Sequence, residues 1–321
     1  MTTSLRIVVP VYDDWDPLRT LIEHLDRALA SSSLRASLLV VDDGSSKPMS
    51  DPALGQLSSI DEIRLLSLRR NVGHQRAIAI GLAYVHEHLP CEAVMVMDAD
   101  GEDDPADVPR LVAKCRELNF ERIVFARRTS RSEGFVFRAF YRLFKALYRV
   151  MTGTDMRVGN FSVIPFALLR RVVVVSEIWN HYIGGLMKAR LPYATMDAAR
   201  TKRLAGRSHM NFVALVTHGL SAIAVNGDVF GVRMLIATTI LVIAATITML
   251  TAIGIRLGTN LAIPGWATYV VAFSALAILQ AIGLSLFFIF IILGGRKHLD
   301  TIPERDYHYF VFDCTLIHPR T

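Results

Sequence analysis

An α/β domain on a mostly parallel sheet, with helices on both faces and two apolar helices after it, is the fold class this 321-residue sequence predicts. Three features lead there. Short apolar runs recur along the first 130 residues, and each stops abruptly in a polar cluster. Segments with helical apolar spacing separate those runs, the alternation that generates parallel sheets. Finally, two long apolar stretches lie near the C-terminal end of the chain.

The first run, Leu5-Arg6-Ile7-Val8-Val9-Pro10-Val11-Tyr12, reads as a buried strand ended by Asp13 and Asp14. Pro17 then favours a helix whose apolar positions, Leu18, Leu21, Ile22, Leu25 and Leu29, follow a period near 3.6. A second strand, Leu38 to Val41, runs into Asp42-Asp43-Gly44-Ser45-Ser46, and a third, Ile63 to Leu68, ends at Arg69-Arg70-Asn71-Val72-Gly73. The helix His74 to His88 leads to a fourth strand, Val94 to Met97, which ends in Asp98-Ala99-Asp100-Gly101-Glu102-Asp103-Asp104. Pro105 and Asp107 open another helix, and Arg122 to Ala126 supplies a further strand.

Ligands of open α/β sheets bind outside the carboxyl ends of the strands, where these polar clusters fall. Asp98 and Asp100 alternate, so both carboxylates can turn toward one hard cation; Mg²⁺ or Mn²⁺ suits one or two carboxylates completed by substrate phosphates. An EF-hand is excluded, because the sixth loop position is Asp103 rather than Gly and the twelfth is Pro109 rather than Glu. No Gly-x-Gly-x-x-Gly and no Gly-x-x-x-x-Gly-Lys-Ser/Thr occurs, which removes the main support for a dinucleotide fold or a P-loop NTPase.

The charge balance, 35 basic against 29 acidic residues, fits an anionic membrane surface or a phosphorylated substrate and is too mild for nucleic acid. Cys91, Cys115 and Cys314 lie far apart with no paired framework, as expected of free thiols in a reducing compartment. The N-terminal residues lack a basic, then apolar, signal-peptide pattern.

Taken in order, Val9-Pro10-Val11-Tyr12-Asp13-Asp14, Val41-Asp42-Asp43-Gly44-Ser45, Arg70-Asn71-Val72-Gly73 and Asp98-Ala99-Asp100 resemble the motifs of family 2 inverting glycosyltransferases with the GT-A fold. Within that family the chain looks most like the polyisoprenyl-phosphate glycosyltransferases, a group that includes dolichol-phosphate mannose synthases and bactoprenol glucosyltransferases. The motifs cover about the first 210 residues. The resemblance implies a GT-A domain over residues 1–210 that moves one sugar from a nucleotide-diphosphate sugar to a polyisoprenyl phosphate. It implies that Pro10, Tyr12, Asp14, Asp42, Asp43, Arg70, Asn71 and Asp98 bind the donor, with Asp42 accepting a base N–H. Asp98 and Asp100 would flank the metal, with Glu102 as a third ligand.

Asp155 to Ser162 resembles the family's Gly-Asp-Phe-Arg-Leu segment but departs from it, with Asn160 at the Asp and Ser162 at the Arg. Arg200 to His209 resembles Arg-x-x-Gly-x-Ser-Lys, with His209 at the Lys; Arg203 and Arg207 are the candidates to grip the diphosphate or the acceptor phosphate. Arg127, Lys202 and Ser208 join them as acceptor-side candidates. Over residues 135–151, Arg138, Arg142, Lys145 and Arg149 recur at helical spacing among aromatics, as a basic interfacial helix would.

Met234 to Ile255 and Trp266 to Leu293 each exceed the ~20 residues that cross a hydrocarbon core. Arg233 before the first run and Arg296, Lys297 and His298 after the second outweigh the lone Arg256 between them. That bias predicts a two-span protein of a bacterial-type inner membrane with the catalytic domain and both chain ends on the cytoplasmic side. Residues 211–232 are expected along the interface, 233–295 across the bilayer and 296–321 as a cytoplasmic tail. The tail's Tyr307 to Phe312 has strand character suited to pairing with a sheet or with a second copy in a homo-oligomer.

Four alternatives stand against this reading. A processive polysaccharide synthase is disfavoured because none of Trp15, Trp179 or Trp266 sits in a Gln-x-x-Arg-Trp motif, and a transporter because two uncharged spans make no pathway. Transfer to a neutral lipid hydroxyl, or sugar-nucleotide binding without turnover, is separated from the main reading by acceptor chemistry and by turnover itself.

Overall fold

The computed structural model describes residues 4–49, 56–128, 149, 158–198, 221, 224–259, 265–295 and 301–319. The chain divides into two compact units, one of Met1–Ala139, Met156–Val225 and Asp300–Thr321, the other of Phe140–Asp155 and Asn226–Leu299.

In the first unit, the strands are β1 (Ser4–Val11), β2 (Arg35–Asp42), β3 (Ile60–Leu68), β4 (Ala93–Val96), β5 (Ile123–Arg128), β6 (Val158–Pro165), β7 (Tyr193–Ala198) and β8 (Val311–His318). They form one sheet in the order β7-β5-β6-β4-β1-β2-β3-β8. β4, β1, β2 and β3 run parallel, as does the β5–β7 pair, whereas β6 is antiparallel to β4 and β5, and β8 is antiparallel to β3.

Because side chains alternate across a strand, each strand feeds two cores. Ile7, Val9, Leu38 and Val40 face α1 (Trp15–Ser31) and α3 (Val108–Glu117). Val8, Leu39 and Val41 face α2 (His74–His88), α4 (Phe166–Val172) and α5 (Tyr182–Lys188). The five leucine and isoleucine positions read as the inner stripe of α1 are all fully buried, a gross gain of roughly 10 kcal/mol at about 2 kcal/mol each. The carboxylate of Asp26, on the same helix, accepts the N–H groups of Ser58, Ser59 and Ile60 at 2.7 to 3.1 Å, pinning α1 to the entry of β3.

Three strands differ from the sequence expectation. β6 and β7 carry Gly, Asn, Ser, Thr and Asp among their apolar residues, so no continuous apolar run marks them. At the C-terminal end, strand character was expected from Tyr307, but Pro303–Asp306 forms a helical turn (α8), Tyr307–Tyr309 a 3-10 turn, and the strand begins only at Val311. The tail's pairing is with β3 of the same chain.

The second unit contains α6 (Gly227–Gly258) and α7 (Trp266–Gly295), both long and apolar enough to cross a membrane, with mean hydropathy 2.2 and 2.7 over their most apolar windows. Gly231, Thr238, Ala245 and Ala252, every seventh residue, are the buried stripe of α6, and small residues there let two helix backbones approach closely. Thr238 and Ser285 hydroxyls hydrogen-bond across the pair at 2.7 Å. Many of the remaining large side chains of both helices are exposed.

Candidate active site

Since β1 to β4 run parallel, their carboxyl ends and the polar clusters that follow lie along one edge of the sheet. The turns there hold one another by specific hydrogen bonds. After β1 the backbone turns through Asp13 at φ 56°, a left-handed conformation that Asp tolerates. Its carboxylate accepts the Ser46 N–H at 2.8 Å, the Ser46 hydroxyl at 2.7 Å and the Lys47 N–H at 3.2 Å. The Asp13 N–H in turn donates to the Ser45 hydroxyl, and the Trp15 indole donates to the Lys47 carbonyl. The Ser46 hydroxyl is the largest influence holding the Asp13 carboxyl below its ordinary pKa.

The β2 turn is built similarly. Asp42 Oδ1 accepts the Ser45 N–H at 2.9 Å, closing a local turn, while Tyr12 and Asp14 stand at the neighbouring β1 end, the Tyr12 ring exposed. Pro10 is buried within β1, where it pairs with Val41 of β2. Asp43 is buried, and its two oxygens accept the N–H groups of Val72 at 2.7 Å and Gly73 at 2.9 Å. Burial pushes its carboxyl above the ordinary range despite those two donors. The observed work of Asp43 is thus to fasten the β3 turn to the β2 turn. Gly44, at φ +68°, lies so close to that turn that a Cβ there would fall 2.6 Å from Arg70 C and Asn71 N. Arg70 and Asn71 are exposed on the turn so held.

Past β4, Asp98 meets neighbours on two sides. Its N–H donates to buried Asp103 at 3.2 Å, and its Oδ1 lies 3.1 Å from His74 Nε2. The same imidazole nitrogen is 3.2 Å from the side-chain amide of Asn160 on β6. Desolvation opposes charge on His74, but Asp98, then Asp100 and Asp43, outweigh it, and the imidazole pKa is raised. Asp100 Oδ1 accepts the Glu102 N–H at 2.9 Å, a second local turn. Behind this group, Gln75 accepts the Tyr182 N–H at 2.6 Å, and the buried hydroxyls of Tyr182 and Ser162 meet at 2.9 Å, locking α2, α5 and β6 together.

The donor set suits a hard cation: the Asp98 and Asp100 carboxylates are partly exposed, and oxygen ligands are what Mg²⁺ and Mn²⁺ take. Among the described residues no three acidic, histidine or cysteine side chains converge as a ready-made cage. A cation held by two carboxylates needs oxygens from substrate, as phosphates would supply.

Two site residues escaped sequence reading. Asp13 stands within the first motif, but its contact with Ser46 is tertiary and leaves no local signal. His74 directly follows the Arg70 to Gly73 motif, which was the available signal, but the motif does not contain it. Of the residues named as acceptor-side candidates, Arg127 pairs with Asp197 at 2.6 Å, opposite it in the parallel β5–β7 ladder. Arg138, Arg142, Lys202, Arg203, Arg207 and Ser208 lie outside the described residues, as do the basic 135–151 segment apart from Arg149 and all of Arg200 to His209.

A parallel sheet with this acidic strand edge and a mixed flank defines the GT-A class of nucleotide-sugar enzymes. The model of "Glycosyl transferase family 2" matches residues 6–176, more than half of the chain, and the chain belongs to that family. An uncharacterized glycosyltransferase, YkcC, of Bacillus subtilis (strain 168) is 30% identical over 207 residues, 63% of this chain and 62% of the relative. Undecaprenyl-phosphate 4-deoxy-4-formamido-L-arabinose transferase of Klebsiella pneumoniae is 28% identical over 175 residues, 53% of this chain and 50% of the relative. The chain therefore spans only about half to three fifths of the length of these relatives. Among solved structures, glucosyl-3-phosphoglycerate synthase from Mycobacterium tuberculosis, in complex with Mn²⁺, UDP-glucose and phosphoglyceric acid, superposes with a TM-score of 0.52 at 17% identity, over 71% of this chain and 80% of that one.

Proposed function

We propose that this family 2 glycosyltransferase transfers one sugar from a nucleotide-diphosphate donor to a polyisoprenyl phosphate at a membrane surface, with inversion at the anomeric carbon. The observation that carries the acceptor is the pair α6 and α7, whose outward faces are apolar over lengths that cross a bilayer. The undecaprenyl-phosphate named for the Klebsiella relative supports the same chemistry. On this reading both chain ends lie on the cytoplasmic side, and the juxtamembrane arginines, Arg203 and Arg207 foremost, meet the acceptor phosphate.

The site's residues suit this reaction. A phosphate monoester with a second pKa near 6 is mostly dianionic at neutral pH and is a competent nucleophile, so no carboxylate base is required. Asn160, standing where the family pattern has Asp, fits that requirement: its side-chain amide lies 3.2 Å from His74 Nε2, the nitrogen that faces Asp98. Asp98 and Asp100 would hold a divalent cation, which would neutralise charge on the departing nucleoside diphosphate. The clasp of Asp13, Asp43 and Gly44 fixes the turns that present Tyr12, Asp42, Arg70 and Asn71 to the donor, and pre-set positions lower the barrier through orientation.

The test uses full-length protein in lipid with Mg²⁺ or Mn²⁺, undecaprenyl phosphate and a panel of radiolabelled nucleotide sugars. Label should enter the lipid fraction from one donor and stop on chelation. Donor binding without any label in lipid would defeat the polyisoprenyl-phosphate acceptor.

A further inference from the structure

The chain leaves the catalytic unit, runs through both apolar helices and then returns to it. We propose that this returning segment, residues 301–318, is a positioning element of the donor site, acting through Phe310 on the Arg69 to Gly73 turn. The proposal rests on the donor-site reading above.

The return is anchored at several points. Glu304 N–H donates to the Val173 carbonyl at 3.0 Å, and the Glu304 carboxylate lies 3.3 Å from His86. Tyr307 is buried; its hydroxyl donates to Glu87 at 2.8 Å and lies 2.8 Å from His88 Nε2, at the C-terminal end of α2. β8 then covers the outer side of β3, pairing Leu66 with Cys314 and Leu68 with Val311.

The contacts at the end of that ladder fall on the donor turn. Arg69 N–H donates to the Phe310 carbonyl at 2.9 Å, and Arg69 Nε donates to the Val311 carbonyl at 2.9 Å. The Arg70 guanidinium sits over the Phe310 ring at 5.9 Å, within range of a cation–π contact. The ring itself packs on Trp179 at 5.0 Å, and Arg76 lies 5.9 Å from Trp179. The turn is therefore held on one side by Asp43 and Gly44 of the β2 turn and on the other by Phe310. The first support comes from the motif region; the second comes from a residue more than 200 positions later. Without it, β3 would be an open edge, Arg69 would lose two carbonyl partners and the Arg70 guanidinium would lose the ring beneath it.

An edge strand that only protected the sheet would affect stability alone. The positioning role predicts an effect on donor affinity at constant fold. Full-length protein in detergent or nanodiscs would be titrated with UDP, GDP and CDP in the presence of Mn²⁺. Phe310→Leu keeps an apolar side chain against Trp179 but removes the ring face. It should weaken binding of whichever diphosphate the wild type takes by about fivefold, as expected from losing one such contact and the order it imposes. Phe310→Tyr should restore wild-type affinity. Leu316→Ala, an exposed position farther along β8 and paired with Arg64, should leave affinity unchanged. In turnover the Phe310→Leu effect should appear in the donor KM and spare kcat. Wild-type affinity in Phe310→Leu, or an equal loss in Leu316→Ala, overturns the positioning role while leaving the donor site intact. Absence of diphosphate binding to the wild type overturns the donor-site reading and this proposal with it.

Discussion

Replacing Gly44 by alanine tests the strand-end clasp most sharply. Gly44 sits at φ +68°, where an L residue costs about 1–2 kcal/mol, and its missing Cβ would lie 2.6 Å from two backbone atoms of Arg70 and Asn71. Carbon contacts become ordinary near 3.4 Å, so one turn must retreat by about 0.8 Å. Backbone cannot swing aside as a long side chain does, and overpacking of this kind costs about 1–3 kcal/mol. The lower entropy of the unfolded alanine chain offsets about 0.4–1 kcal/mol. The net loss should be about 1–5 kcal/mol, read by urea denaturation of the detergent-solubilised protein. A displacement approaching 1 Å at donor-binding groups costs on the order of 10²-fold, so kcat/KM for the donor should fall by roughly 30–100-fold. Gly73→Ala is the control. Gly73 also has positive φ, at +96°, but nothing lies within 4 Å of its added Cβ. It should therefore lose stability through backbone strain with a smaller effect on kcat/KM. If Gly44→Ala turns over like the wild type, the contact between the β2 and β3 turns does not set the donor geometry.

Three further outcomes follow from the same structure. Burial raises the Asp26 carboxyl, but the N–H donors of Ser58, Ser59 and Ile60 outweigh it and leave its pKa below the ordinary value. Its stabilisation is thus present above the unfolded pKa and lost as pH falls through the folded one; Asp26→Ala should cost about 2–3 kcal/mol near neutral pH, with the gap to wild type narrowing in acid denaturation series. His74→Ala removes the imidazole between Asp98 and Asn160, and because that side chain is half exposed it should lower kcat/KM about tenfold with little change in Tm, in paired kinetic and melting measurements. Cys91 and Cys115 are pushed up to about 12 by burial, so the folded protein should resist iodoacetamide at both, by mass spectrometry, and react only when urea is added.

What the sequence made legible was whatever is local. The apolar runs of β1 to β4, the 3.6-residue stripe of α1 and the span His74–His88 are set by residues within one turn or one strand of each other, and the structure places them there. The strand-end clusters also follow from local pattern, since parallel strands bring successive carboxyl ends to one edge. What fastens those clusters together is long-range. Asp13 meets Ser46, Asp43 meets Val72 and Gly73, and Phe310 meets Arg69, and none of these pairings leaves a periodicity. Arg127, an acceptor-side candidate, shows the same limit: its pairing with Asp197 comes from the β5–β7 register that sets the two opposite each other, and no local pattern announces it. The mixed flank of the sheet was hidden for another reason, since β6 and β7 interleave polar and small residues and lack the continuous apolar run of a central strand.

The most direct test of the central claim compares two acceptors that differ only in the terminal phosphate. With the active donor, divalent cation and full-length protein in bilayers, undecaprenyl phosphate and undecaprenol would be supplied side by side, with Asp100→Ala as the blank. Sugar should pass to the phosphate, with no transfer to the alcohol and none in the variant. Transfer to the alcohol at a comparable rate, or undiminished transfer by Asp100→Ala, would contradict the account.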